Sequence, residues 1–306
     1  MPGSKKPSKA TRARWFEAGV VARGARFLEK GPGYVCPECL TAFPREALGD
    51  GRLTVEDVPP VVLGGKPLLL TCKACNNRAG RLHDRHAGRY EGVLNYLARE
   101  GSLKTRTMIA GQKLNVEFRL RPESPDVDDM IVWVKDNDEA TVRATHAAVD
   151  RLALAGQLVG VELGFPVAAK ASAVEVSLLR AAYLAAFAVL GYTYIDRPEL
   201  KWVRDLVADP QADIVGPYLA EDDVSADPDR RLIGAVLTPE WLQSTIVIMG
   251  RHTVFLPHPD ATSNPALYQR LAAHHGPFPA ITTQLLAPGL TWPSEPLHYL
   301  DQIGLS

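Results

Sequence analysis

The sequence predicts an α+β protein in two parts, a small cysteine-containing module followed by a larger mixed α/β domain. All four cysteines of the 306-residue chain lie before residue 76. The charge also changes sign: residues 1–110 carry 19 Lys and Arg against 10 Asp and Glu, whereas the remaining residues carry 15 against 25. Beyond Gly101, strand-like and helix-like segments alternate, as is typical of a mixed domain.

The first 14 residues contain five Lys and Arg and no acidic residue, which predicts a flexible basic arm. This arm could contact a nucleic-acid backbone or be a solvated tail. Residues 15–30 have the apolar spacing of a helix, and Gly31, Pro32 and Gly33 end it.

The cysteines form two Cys-x-x-Cys pairs, Cys36 with Cys39 and Cys72 with Cys75. Because the chain uses cysteine nowhere else and we expect it in the cytosol, this grouping favours a metal site over disulfide bonds. Four thiolates from two such pairs suit tetrahedral Zn²⁺, so the spacing predicts a structural zinc site. An iron–sulfur cluster is the alternative.

Strand, turn, strand and helix are predicted in this order around the cysteine pairs. Leu53–Val55 begins the first strand, Gly64 and Gly65 make the turn, and residues 66–72 form the second strand. The segment from residue 76 to 100 has a helical pattern that its glycines weaken near the middle.

The sequence CPEC … LTVEDVPP … LGGKPLLLTCKACNNRAG resembles the HNH endonuclease family, in particular its branch with two zinc knuckles around a ββα-metal core. The resemblance covers about residues 30–90. It implies that Glu56 and Asn76 hold a catalytic Mg²⁺ or Mn²⁺ ion, which oxygen ligands suit. The chain departs from the family pattern at Asp57, where the general-base histidine is expected, and at Pro67, near the place of an orienting Asn.

Asp57 could be a third ligand of the catalytic ion, or a poor general base, because a carboxylate with an ordinary pKa is a far weaker base than imidazole. His83, on the helix after Asn76, is the candidate replacement base. We rank it above His86 because it lies one turn nearer the expected metal position.

A basic helix face is the predicted nucleic-acid interface, with DNA favoured over RNA. Its arginines recur every three or four residues and so share one face, unless this is only a solvated surface. Two lysines on the hairpin side extend it. The predicted contact residues are Lys66, Lys73, Arg78, Arg81, Arg85 and Arg89.

Residues 104–306 are predicted to form a mixed α/β accessory domain after the arm (1–14) and the zinc module (15–103). Strands are expected at residues 105–120, 128–136, 230–237, 244–250 and 252–257, and helices at 139–156, 175–195 and 199–210. The acidic character of this domain suggests a protein partner or self-association.

The sequence predicts neither a membrane protein nor a secreted one. The longest apolar run, near Ala181–Gly191, is too short to span a bilayer, and the N-terminus lacks the apolar segment of a signal peptide. The hydrophobic content of 46% is ordinary for a globular protein, so we expect a cytoplasmic location.

Three functions are compatible with these observations. The first is an HNH-type nuclease that hydrolyses phosphodiester bonds, with altered or weakened catalysis because of Asp57. The second is a catalytically silent zinc module that binds nucleic acid or a partner. The third is a zinc-ribbon interaction protein, which leaves the match around Glu56 unexplained. By analogy to the family, a nuclease of this kind would belong to a restriction or phage-defence system.

Overall fold

The computed structural model of the chain describes residues 6–24, 26–98, 101–109, 111–121, 124–132, 136–156, 169–209, 219–221, 227, 229–259, 265–274, 282–285 and 292–302. It divides into two compact units, the first made of residues 1–87 with 170–306 and the second of residues 88–169. The predicted boundary near residue 103 differs from this division, because the chain returns to the cysteine-containing unit after residue 169.

Helix α1 spans Lys9–Arg23 and so begins inside the segment predicted as a flexible arm. The side chain of Ser8 accepts the backbone N–H of Thr11 at 3.1 Å, and this N-cap fixes the start of the helix. Gly24, with a φ of 53°, ends it. Residues 9–14 are therefore helical, which corrects the predicted arm over that part.

The predicted hairpin is present. Strand β3 (Leu53–Val58) pairs antiparallel with strand β4 (Lys66–Cys72), after two short paired strands. A Cβ on Gly65 would collide with the carbonyl oxygen of Pro59, so the turn requires glycine at this position. The short strands are β1 (Tyr34–Val35) and β2 (Ala42–Phe43).

A long helix in three segments follows β4 directly. Segment α2 (Lys73–Ala79) continues into a π turn (Gly80–Asp84) and then into α3 (Arg85–Leu97), which reaches into the second unit. The π turn begins at Gly80, one of the glycines expected to weaken the helix. A π turn holds more residues than an α turn, so the side chains after it are rotated from their predicted positions.

The second unit packs a three-stranded antiparallel meander with helices. Strands β5 (Ser102–Ile109), β6 (Gln112–Arg121) and β7 (Ser124–Val132) precede helix α4 (Glu139–Leu154), close to the predicted ranges. Its core is apolar and includes Tyr96, Leu103, Leu114, Val116, Phe118 and Val142.

Helix α5 (Ala171–Leu190) is the central helix of the first unit. Its length and composition would allow it to cross a membrane, but 94% of its apolar 18-residue stretch is buried inside the protein. The helix begins at Ala171, before the apolar run near Ala181–Gly191, which corrects the expectation that this segment is too short to span a bilayer. Its burial is what a core helix shows. The Tyr183 hydroxyl donates to the carbonyl of Pro37 at 2.6 Å, which joins α5 to the first cysteine pair.

The other elements of the first unit are helices α6 (Tyr192–Ile195), α7 (Lys201–Ala208), α8 (Pro265–Ala273) and α9 (Tyr299–Gln302), and strands β8 (Leu219–Glu221), β9 (Arg231–Thr238), β10 (Ser244–Met249), β11 (His252–Leu256) and β12 (Thr282–Leu285). The strands form a sheet in the order β12–β9–β10–β11–β8, and each neighbouring pair is antiparallel. The tight turn at Gly250 joins β10 to β11, and such a turn can join only antiparallel strands. The whole is consistent with the predicted α+β class.

Candidate metal centre and adjoining cleft

The four cysteines lie together where the two short strands, the hairpin and helix α2 meet. Their sulfur atoms are all within 4.8 Å of one another, and those of Cys39 and Cys72 are 3.8 Å apart. Metal–sulfur bonds of about 2.3 Å in a tetrahedron give sulfur–sulfur distances of about 3.8 Å. The predicted ligand set can therefore hold one metal ion.

Backbone and side-chain donors surround the sulfur atoms. The backbone N–H of Cys72 donates to Cys36 Sγ, and that of Cys75 to Cys72 Sγ, both at 3.4 Å. Hydrogen bonding with the Cys36 thiol lowers the pKa of Cys72 to about 7, while burial raises the pKa of Cys36 itself. Cys72 also caps the N-terminus of α2, where the backbone N–H groups favour the thiolate form of this residue.

Glu56, the predicted ligand of the catalytic ion, lies on β3 with only 4% of its surface exposed. The Arg180 guanidinium of helix α5 donates to both of its oxygens, at 3.0 Å to Oε1 and 2.9 Å to Oε2. The Thr71 hydroxyl also donates to Oε2, at 2.9 Å. An internal cation thus holds the carboxylate that the resemblance assigns to a metal.

Arg180 also binds Glu38, one of the two residues between Cys36 and Cys39. Its Nε donates to Glu38 Oε2 at 3.1 Å and its Nη2 to Oε1 at 2.7 Å. A third carboxylate, that of Asp84 in the π turn, lies 3.9 Å from Nη1. We call Arg180, Glu38, Glu56 and Asp84 the arginine cluster; it links the cysteine site, the hairpin, the π turn and helix α5.

The charges of the arginine cluster follow from its burial and geometry. Burial opposes the charged form of Arg180, but the attraction of Glu38 and Glu56 outweighs this and raises its pKa well above the usual range. Burial raises the pKa of Glu56, against the attraction of Arg180. The raised pKa of Glu56 favours a neutral carboxyl group, whereas the raised pKa of Arg180 depends on an ionised Glu56. The two guanidinium hydrogen bonds to its oxygens favour the ionised form, and we take it as ionised.

Asp57 and Asn76 line a cleft of about 290 Å³ beside the arginine cluster. Asp57 is half-buried, its Oδ1 has no hydrogen-bond partner among the described residues, and burial raises its pKa. A register shift between Glu56 and Asp57 brings Asp57 opposite Pro67. The cleft is lined by Glu56, Asp57, Pro60, Val61, Val62, Asn76, Gly80, Asp84 and Arg85.

The Asn76 side chain fastens helix α2 to the hairpin. Its Nδ2 donates to the Thr54 hydroxyl and to the Val55 carbonyl, both at 3.2 Å. Its predicted role was metal binding, which uses the amide oxygen. In the observed contacts it is the amide nitrogen that is engaged, so Asn76 has a structural role in this arrangement.

His83 lies in the π turn, fully buried, and is absent from the described lining of the cleft. Within the described part of the chain, neither of its ring nitrogens has a partner with hydrogen-bond geometry. Burial lowers its pKa, against the effect of the Val207 backbone and of Asp84. The structure therefore does not bring this predicted base to the cleft. His86 is also buried, and its Nδ1 accepts the backbone N–H of Lys170.

Most of the predicted nucleic-acid contacts reach the surface. The side chains of Lys66, Lys73, Arg81 and Arg85 are exposed. Arg78 is half-buried and donates to Cys75 Sγ at 3.5 Å, so it belongs to the cysteine site. Arg89 is exposed too but lies in the second unit, beyond the π turn that interrupts the predicted face.

Sequence reasoning missed Glu38 and Arg180. One signal was available for each: Glu38 is an acidic residue inside the first cysteine pair, and Arg180 is a charge in the middle of the most apolar helix. Their pairing spans 142 residues and had no local signal. Comparisons with known proteins found no matching family model, and neither a curated protein nor a solved structure is significantly similar to the chain.

Proposed function

We propose that the chain is a nucleic-acid-binding protein built on a zinc-binding ββα module that resembles HNH endonucleases but does not hydrolyse its target. One observation carries this proposal: the Arg180 guanidinium is hydrogen-bonded to both oxygens of Glu56 in the interior of the protein. It takes the coordination positions that a divalent ion needs.

The ion proposed for the four cysteines is zinc. An all-sulfur set with tetrahedral spacing suits Zn²⁺ better than Mg²⁺ or Mn²⁺, which prefer oxygen ligands. Zn²⁺ has no redox chemistry, so its contribution here is structural. The cysteines would hold the first strands, the hairpin and helix α2 together.

A catalytic Mg²⁺ or Mn²⁺ fits this arrangement poorly. Among the described residues, the four cysteines are the one group of three or more Cys, His, Asp or Glu side chains close enough to share an ion. A metal at Glu56 would have to displace Arg180 and leave its cation buried, which is costly.

Nucleic-acid binding is proposed from the exposed basic residues of the hairpin and of the helix that follows it. Arg81 and Arg85 are exposed in and just after the π turn, and Arg85 also lines the cleft beside Asp57. Lys66 begins strand β4, and Lys73 follows its last residue. Lys and Arg at phosphates release counterions, which makes such binding favourable and sensitive to salt.

The nuclease is retained as a second candidate because the cleft itself remains open beside Asp57. This carboxylate has an oxygen without a described partner and a raised pKa, features that also occur at catalytic sites.

A cleavage and binding experiment distinguishes the two functions. Purified full-length protein is incubated with plasmid, single-stranded DNA and RNA, with Mg²⁺ or Mn²⁺, and binding is measured at several salt concentrations. We expect salt-sensitive binding without cleavage. We also expect no cleavage by Asp57→His, because Arg180 still holds Glu56 in that variant.

The nuclease replaces this proposal if the wild type cleaves and both Glu56→Gln and Asn76→Ala abolish cleavage. Glu46→Gln, which changes an exposed carboxylate, is the matched control and should leave any cleavage intact. Absence of both cleavage and binding would overturn the proposed function as a whole.

A further inference from the structure

A second, larger cleft lies on the other side of the hairpin turn. Its volume is about 530 Å³, within the range of small-molecule sites. Strands β3 and β4 form one side, and residues before and at the start of β9 and near residue 292 form the other. It is lined by Val58, Gly64, Lys66, Pro67, Leu68, Asp229, Arg231, Trp292, Pro293 and Ser294.

Two cations line this cleft. Lys66 is exposed, and Arg231 is held by its own hydrogen bonds: Nη2 donates to the Leu63 carbonyl at 2.7 Å and Nη1 to the Arg230 carbonyl at 2.8 Å. These contacts fix the guanidinium beside the hairpin turn. Among the described lining residues, Asp229 is the one acidic side chain against these two cations, so the cleft suits an anion such as a phosphate.

The other lining residues suit a flat, partly apolar group. Trp292 is half-buried, and Val58 and Leu68, each 1% exposed, line the hairpin side. An indole beside a cation is the combination on which nucleic-acid bases stack. Asp229 and Ser294 are exposed polar groups that can bind sugar hydroxyls or base edges.

The same turn lines both clefts. Val61 and Val62 line the cleft beside Asp57, and Gly64 lines the second one. Asp57 and Val58, adjacent on β3, likewise line one cleft each. A nucleic-acid strand bound at Arg81 and Arg85 can thus continue over the hairpin turn into the second cleft.

We propose that the second cleft binds a nucleoside phosphate, with the base on Trp292 and the phosphate between Lys66 and Arg231. In the nucleic-acid complex this group is a nucleotide of a single-stranded segment, an assignment that rests on the proposed function. A free nucleotide has the same chemistry, and the experiment separates these two sources.

The test measures binding of adenosine 5′-monophosphate, adenosine and a short single-stranded oligonucleotide to the full-length protein by calorimetry. We expect Trp292→Ala to weaken the monophosphate and the oligonucleotide about tenfold or more, and Trp292→Phe to retain most of the affinity, because base stacking tolerates different aromatic rings. Lys66→Gln should weaken the monophosphate and leave adenosine unchanged. Trp202→Phe, half-buried on α7, is the control that should change nothing.

Two results would overturn the cleft assignment: equal monophosphate affinity in the wild type and Trp292→Ala, or no wild-type binding of either phosphate ligand up to about 1 mM, the weak end of specific affinities. If the wild type binds neither phosphate ligand but still binds duplex DNA, the proposed function stands and only the cleft assignment is lost. Binding of the monophosphate but of no nucleic acid would instead identify a free nucleotide as the ligand and overturn the proposed function. A thermal melt of each variant establishes that it is folded.

Discussion

Arg180 has the most consequential surroundings of any single residue in this chain. It is 1% exposed on the apolar helix α5, and its guanidinium donates to Glu38 and to Glu56. Arginine provides five N–H donors in a rigid planar fork, so it can satisfy two carboxylates at once, which a lysine cannot do with the same geometry. The fold depends on Arg180 because it is the cation that pairs with both buried carboxylates, Glu38 and Glu56.

We expect Arg180→Met to destabilise the protein by about 3–5 kcal/mol, because removing one partner leaves buried charges uncompensated. Urea unfolding followed by circular dichroism measures the change. The triple variant with Glu38→Gln and Glu56→Gln should recover much of the loss, since it buries no charge. Lys201→Met removes an exposed pair with Asp205 and should cost less than about 1 kcal/mol. Equal stability of Arg180→Met and the wild type would contradict the argument.

His298 makes stability depend on pH. Burial lowers its pKa from 6.5 to about 4, so the folded state favours the neutral ring, and the ring packs 5.9 Å from that of Tyr192. The stability that the neutral His298 ring contributes to the folded state is fully present above pH 6.5 and is lost as the pH falls to about 4. The full loss is about 3 kcal/mol, from 1.36 kcal/mol per pKa unit.

Denaturant unfolding at several pH values between 7 and 4 measures this dependence. His298→Phe should lose less stability on acidification than the wild type. His146→Gln, which changes an exposed histidine of α4, should follow the wild-type profile. Parallel profiles for the wild type and His298→Phe would show that His298 does not titrate in this way.

At the scale of elements, the helix formed by α2, the π turn and α3 brings the proposed functions together. Its first turn carries Cys75 and Asn76, its π turn carries Asp84, and its exposed side carries Arg81 and Arg85. His83 lies in the interior, whereas Arg81 and Arg85, two residues away on either side, are at the surface, as expected for opposite faces of a helix.

Replacing Arg81 and Arg85 by alanine should weaken nucleic-acid binding and reduce the slope of log affinity against log salt. Each lost phosphate contact lowers the slope by about 0.9 on duplex DNA, so the double variant should lose about 2. Fluorescence anisotropy at several salt concentrations measures it. Arg143→Ala, on the exposed face of α4, is the control, and an unchanged slope in the double variant would remove this helix from the interface.

At the scale of the whole molecule, two distant parts of the sequence form one unit. Helix α5 contributes Arg180 to the carboxylates of the cysteine module and the Tyr183 hydroxyl to Pro37. Tyr192, just after α5, donates to the Val35 carbonyl at 2.6 Å. Residues of the acidic second half of the chain thus stabilise the basic first half through buried hydrogen bonds.

Zinc removal should therefore affect more than the module around the cysteines. We expect about one zinc per chain by mass spectrometry of metals, and a lower melting temperature after chelation or in Cys36→Ser, because the loop that carries Glu38 loses its anchor. Glu46→Gln is the matched surface control. A metal-free protein with an unchanged melting temperature would contradict the zinc assignment.

The residue pattern alone predicted those features that depend on short stretches of chain. The spacing of Cys36, Cys39, Cys72 and Cys75 indicated a shared metal site, and apolar runs between turn glycines indicated both strands of the hairpin. The structure confirms that the four cysteines lie together and that the hairpin forms, because each Cys-x-x-Cys pair and each strand is specified by a short stretch of chain.

Tertiary structure decided what the carboxylates and histidines of the module can do. Glu56 has the sequence context of a metal ligand, but its partner Arg180 lies 124 residues away and is brought to it by the burial of helix α5. His83 looked available for catalysis, but the same packing buries it. Periodicity specifies which face of a helix is apolar, whereas only the packed structure specifies which buried charges meet on it.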